Sequence, residues 1–184
     1  ATVSILMTKY YTHVFDPAQF GVLALYTTMV QYLGNFIGFS VDASAQRVYF
    51  DYKGEERKEY FGTVLIFLTG SAFFWVIILL FLKNAVVGYV GGTGIMYIIT
   101  ILLTVLAMYV NFLSRIGYNE HLSTLIFRQS MVQTTFNHGG SFVFIAFLKM
   151  SILGRQAGQL AAYAFNAFFY TIALRKADIL KKKF

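Results

Sequence analysis

The stretch "YFGTVLIFLTGSAFFWVIILLFL", Tyr60 to Leu82, carries no charged residue from end to end. Coiled as a helix at 1.5 Å per residue, it exceeds the roughly 30 Å hydrocarbon core of a bilayer. The rest of the chain has the same character: 58% of its 184 residues are hydrophobic, 12% are charged, and the mean hydropathy is +0.63. A water-soluble domain carries about 25% charged residues, and one of this size leaves much of its area exposed. Apolar surface in this amount has to face lipid, so the sequence reads as an integral membrane protein.

Other runs repeat the pattern. Pro17–Val41 and Asn84–Ser114 are free of charge; the second begins with the glycine-rich "NAVVGYVGGTG", read as a connection that enters the membrane around Ile95. Leu122–Leu148 is interrupted by Arg128, and Gln156–Leu174 is rich in alanine and aromatics. Ala1–Phe15 is apolar but too short to span, and reads as the outer end of a helix. Asp16 suits the N-cap of the next helix and Pro17 its first position. The expected spans are 1–15 (partial), 17–41, 60–82, 95–114, 122–148 and 156–174. The expected fold is an all-α polytopic membrane protein of about six transmembrane helices, the first truncated, with no soluble domain.

The net charge of +7 and pI near 9.6 are those of a nucleic-acid binder in a soluble protein. Here the basic residues lie at the ends of apolar runs, where they set orientation and meet anionic headgroups, so no nucleic-acid partner is expected. Cysteine is absent, which excludes disulfides, thiolate metal sites and cysteine nucleophiles. Nothing at the N-terminus has the pattern of a cleavable signal peptide. The connection Ala43–Glu59 carries Arg47, Lys53, Arg57 and Lys58, the next one inward carries Arg115, and the tail carries Arg175, Lys176 and Lys181–Lys183. Only Lys9, Lys83, Lys149 and Arg155 fall on the other side. Loop 43–59 and the C-terminal tail are therefore expected in the cytoplasm. Glu55, Glu56 and Glu59 balance the loop's cations and favour the start of a helix.

Polar residues inside apolar runs mark what lipid does not touch. Gln129, Gln133 and Asn137 follow i, i+4, i+8 spacing and form one stripe, with Arg128 about 100° from Gln129. Two uses fit such a stripe: hydrogen bonding between helices, or the wall of a polar cavity. Thr28, Gln31 and Asn35 make a weaker stripe on the 17–41 run, where Gly34 and Gly38 have GxxxG spacing for close packing. Gly139–Gly140 is a candidate bend. An enzyme is not expected: these runs contain no Asp or Glu for acid–base work and no metal-ligand spacing. No metal or cofactor is expected either.

Taken in order, "FDPAQFGVLALYTTMVQYLGNFIGFSVDASAQRVYFDYKGEERKEYFGTVLIFL" resembles the N-terminal part of the polysaccharide biosynthesis (lipid-linked oligosaccharide flippase) family, within the multidrug, oligosaccharidyl-lipid and polysaccharide exporter superfamily. The matching pieces are a "(T/D)P-x-x-(Y/F)G" turn at Asp16–Gly21 and a "D-x-(S/A)-x-x-R-(F/V)-Y-F-(E/D)" signature at Asp42–Asp51, followed by "EERK" at Glu55–Lys58. The resemblance covers Lys9 to about Leu68. It implies one lobe of a two-lobe exporter that moves undecaprenyl-pyrophosphate-linked oligosaccharide across the bacterial inner membrane by alternating access. The partners implied are membrane lipids, the lipid-linked oligosaccharide and a second, C-terminal lobe. For an anionic, sugar-bearing substrate the cavity candidates are Lys9, Gln31, Asn35, Arg128, Gln129, Gln133 and Asn137. Arg47 and Tyr49 are candidates for a cytoplasmic gate. Within the superfamily, a lipid II flippase or a drug/cation antiporter is the alternative; outside it, a non-transporting membrane scaffold.

Overall fold

The computed structural model describes residues 2–119 and 123–176. Among the described residues the chain is all helix: α1 (Thr2–Val14), α2 (Pro17–Ile37), α3 (Val41–Val48), α4 (Gly54–Phe81), α5 (Lys83–Val90), α6 (Gly94–Asn119), α7 (Ser123–Thr135), a π turn (Phe136–Gly140), α8 (Ser141–Ala146) and α9 (Ser151–Lys176). Three of these, α2, α4 and α6, are long and apolar enough to cross a membrane. Residues 123–146 run on as α7, the π turn and α8, and α9 is as long as α6 but more polar. The tail cations Lys181–Lys183 lie outside the described residues, as does the side chain of Asp42.

Local chemistry accounts for most of the boundaries. Asp16 sits in extended conformation and accepts a hydrogen bond from the Gln19 N–H at 2.7 Å, with Pro17 beginning α2 behind it. That helix stops short of the expected Val41. Phe39 and Ser40 turn the chain at φ of 49° and 52°, a left-handed conformation costly for side-chain-bearing residues. The segment 43–59, expected as an open loop, is largely helical. α3 is pinned to α6 by Arg115 Nη1, which donates to Gln46 Oε1 at 2.9 Å. α4 begins at Gly54, ahead of its apolar run, with Glu55 and Glu56 at its positive end and an ion pair from Lys58 to Glu55 at 2.7 Å. The connection after Leu82 also holds a short helix, α5. It ends at Gly91 and Gly92, whose φ of 81° and 88° belong to glycine, and the Tyr26 hydroxyl donates to the Gly91 carbonyl at 2.9 Å.

The core is built around α6. It packs against α2, α4 and α9 along its length and against α3 and α5 near its ends. Tyr97, Ile101, Leu103 and Phe112 on α6 are almost fully buried, as are Tyr26, Phe61 and Leu174 from the helices around it. Thr100 and Thr104 are buried with them. Each hydroxyl donates to the carbonyl one turn back, at 2.9 and 2.8 Å, so neither leaves a donor unmet. The outside of the bundle is as apolar as the inside. On α4 only one strip is buried, while Phe73, Phe74 and Phe81 are 70%, 58% and 85% exposed.

The tightest crossing is between α9 and the π turn. A Cβ built on Gly158 would lie 2.7 Å from the Ser141 Cα, and one built on Gly154 would lie 3.1 Å from the Phe144 Cβ. Gly154, Gly158 and Ala162 thus form a small-residue seam at i, i+4, i+8, the spacing that lets helix backbones approach. Gly158→Val should destabilise the fold by about 1–3 kcal/mol or more through overpacking. Gly21→Ala, in a helix interior where a Cβ meets nothing within 4 Å, should instead be neutral or stabilising by up to about 1 kcal/mol. Thermal unfolding of both variants in one detergent checks the contrast.

Candidate functional site

The polar centre of the molecule forms where α9 meets the π turn and α1. Arg155 lies in the second turn of α9, about 6 Å along its axis from Ser151. Its Nη1 donates to Asn137 Oδ1 at 2.7 Å and, more weakly, to Ser141 Oγ at 3.3 Å. The Ser141 hydroxyl bonds the Asn137 carbonyl one turn back and lies 3.2 Å from the Arg155 carbonyl. The guanidinium carbon stands 5.5 Å from the ring centre of Tyr11, within range of a cation–π contact. Tyr11 itself is buried against Phe15, its hydroxyl beside Ser141.

Among the described residues, what surrounds Arg155 is neutral. α1, α6 and residues 123–176 contain no Asp or Glu, and the charged or ionisable groups facing the guanidinium are the phenols of Tyr11 and Tyr163 and the imidazole of His138. A partly buried cation held by an amide, a hydroxyl and an aromatic ring has its hydrogen bonds but no counter-charge among the described residues. Such a donor set repels metal ions and attracts anions. The planar fork of arginine matches the oxygens of a phosphate or carboxylate.

The sequence-derived candidates are distributed around this centre unevenly. Asn137 is in it. Gln133 sits next to the Tyr163 hydroxyl, and Gln129 is buried at 7% exposure, so the stripe on α7 turns toward α9. Arg128, about 100° around that helix from Gln129, is exposed. Lys9 is exposed on α1, two residues before Tyr11. Gln31 and Asn35 are exposed on α2, which packs chiefly on α6 and α4. Arg47 is exposed on α3, whereas Tyr49 is buried beside Phe61 with the Arg57 guanidinium 4.0 Å over its ring and Arg57 Nη1 donating to its hydroxyl at 2.8 Å. Tyr49 thereby ties α3 to the start of α4.

Arg155, Tyr11, Ser141 and Tyr163 were not among the candidates. By sequence alone Arg155 reads as a flanking cation of the outer side. The signal that sets it apart from Lys149 is its place beside Gly154 and ahead of Gly158, on a helix whose small residues announce a close neighbour. A second polar contact lies deeper: Gln156 Nε2 donates to Thr100 Oγ1 at 3.1 Å, joining α9 to α6. Compared with family models, curated proteins and solved structures, the chain matches none.

The neutral cage makes a contrast that stability measurements can read. Asn137→Ala leaves the guanidinium in place without its best acceptor, and should lower stability by about 1.5–3 kcal/mol. Arg155→Met removes the charge and keeps the volume, and should leave stability unchanged or raise it. Paired unfolding curves of the two variants check this.

Proposed function

We propose that the chain is an integral membrane carrier of the polysaccharide-exporter type. Its helices form one lobe that moves an undecaprenyl-pyrophosphate-linked oligosaccharide across the bacterial inner membrane. The observation that carries this reading is Arg155, a cation among helices without a single carboxylate, held open by Asn137 and Ser141. A charge withdrawn from water without a counter-ion costs several kcal/mol, and an anionic ligand recovers that cost on binding. A pyrophosphate supplies the counter-charge in the geometry that arginine favours.

Two further features support the reading. Thr28, Gln31 and Asn35 are exposed on α2 between apolar neighbours such as Leu25 and Tyr32, a polar face suited to sugar hydroxyls across a cavity completed by a second lobe. The lack of Asp and Glu in the apolar runs of the helices argues against cation exchange through this half. On this reading segment 43–59 and the residues after α9 face the cytoplasm, and the turn at Lys149 faces outward.

In cells whose surface glycan depends on this protein, Arg155→Gln should lower export by roughly 10- to 100-fold, the worth of a hydrogen bond to a charged group. Arg155→Lys should retain part of it, with membrane levels of both variants unchanged. Normal export by the glutamine variant sinks the carrier reading and leaves the polar groups as packing alone. Orientation has its own test, because the chain contains no cysteine. A membrane-impermeant thiol reagent added to intact cells should label Lys149→Cys and spare Asp51→Cys; the reverse pattern inverts the topology.

A further inference from the structure

At the other end of α9 from Arg155, a groove of about 720 Å³ runs between α4, α6 and α9. Leu65, Ile66 and Phe73 form its α4 wall and Leu113 stands opposite on α6. Ile66 and Phe73 are well exposed, so the groove opens to the outside of the bundle. The volume lies within the range of sites that take a small amphiphile.

The polarity of the lining is one-sided. Thr69 donates to the Leu65 carbonyl at 2.7 Å and is paired with the Tyr109 hydroxyl; Thr171 donates to the Ala167 carbonyl at 2.7 Å. These hydroxyls are satisfied within the protein and ask nothing of an occupant. The charge in the lining is Arg175, at the C-terminal end of α9, with Lys176 following it. Midway, Gly70 leaves the wall open: a Cβ there meets nothing within 4 Å. Leu65 to Phe73 covers about 12 Å of helix, room for a good part of an acyl chain. An apolar trough with a cation at one end is complementary to a molecule with an anionic head and an apolar tail.

We propose that this groove seats one anionic glycerophospholipid of the bilayer, its phosphate on Arg175 and one acyl chain along Leu65, Gly70 and Phe73. The proposal rests on the chain lying in a bilayer and is independent of what the chain transports.

The test is native mass spectrometry of the protein released from bilayers of equal phosphatidylglycerol and phosphatidylcholine. The wild type should retain phosphatidylglycerol in preference. Arg175→Gln should lower that retention about 5-fold, the worth of one basic residue at an anionic surface. Gly70→Trp should fill the trough and remove the adduct, and circular dichroism should find its helix content unchanged. Phosphatidylglycerol with a photoreactive acyl chain should label the Ile66–Phe73 segment of the wild type, which keeps the test decisive even where a variant folds poorly. Equal retention of the two lipids, retention indifferent to both substitutions, labelling elsewhere, or crosslinks between copies along α4 overturns the proposal. Arg155→Gln should keep the lipid whatever it does to export, so the two proposals fail separately.

Discussion

The approach of α9 to the π turn sets the geometry of the polar centre, and it is possible only because Gly158 has no side chain where the Ser141 backbone passes. With the two backbones this close, Ser141 Oγ comes within 3.2 Å of the Arg155 carbonyl and Asn137 Oδ1 within 2.7 Å of its guanidinium. The π turn contributes from its own side. Gly139 and Gly140 give it two positions free of Cβ atoms, and the Ser141 hydroxyl caps the Asn137 carbonyl inside the wider coil. Arg155 then has acceptors facing inward and an aromatic ring beside them. Its guanidinium stays in the bundle where a flanking cation of the same sequence position turns outward.

The opposite strategy governs α6. Its threonines are buried at the centre of the molecule, yet they are silenced by their own helix. Thr100 therefore meets α9 as an acceptor, and the Gln156 amide is the group that finds it. Asn166 lies on the same face of α9, fully buried and with neither amide atom bonded to a described residue. An amide in that position costs about 1–3 kcal/mol. The α6–α9 contact is thus extensive, while its side-chain hydrogen bonding is sparse.

These differences explain which parts of the fold were legible in the sequence. Long charge-free runs and the Asp16–Pro17 start depend on nearby residues, and both are read directly from composition and capping chemistry. α3 and α5 are too short to be stable by themselves; they form because Gln46 finds Arg115 and because Tyr26 reaches Gly91, partners 69 and 65 residues away. The candidate site divides in the same way. The α7 stripe is a local periodicity and was visible. Whether Arg155 turns in or out is decided by Asn137 and Tyr11, on other helices, and a count of flanking cations treats it as one more positive charge.

Hydropathy alone also undervalues α9, and the reason bears on both proposals. Its polar residues Gln156 and Asn166 are buried, while Ala161, Ala164, Phe168 and Phe169 are exposed. That is the reverse of an amphipathic helix in water: the polar groups are spent between helices and the outward face is apolar. The twenty residues from Arg155 to Arg175 cover about 30 Å, the thickness of the hydrocarbon core. An arginine stands at each end of that length, and the two are turned differently. Arg155 points into the bundle and is held by neutral groups; Arg175 points into the groove on its flank. On the carrier reading, one helix then offers a phosphate-binding group at each face of the bilayer. On the same reading, Arg175 is the group for the lipid that surrounds the protein and Arg155 the group for the phosphate to be moved.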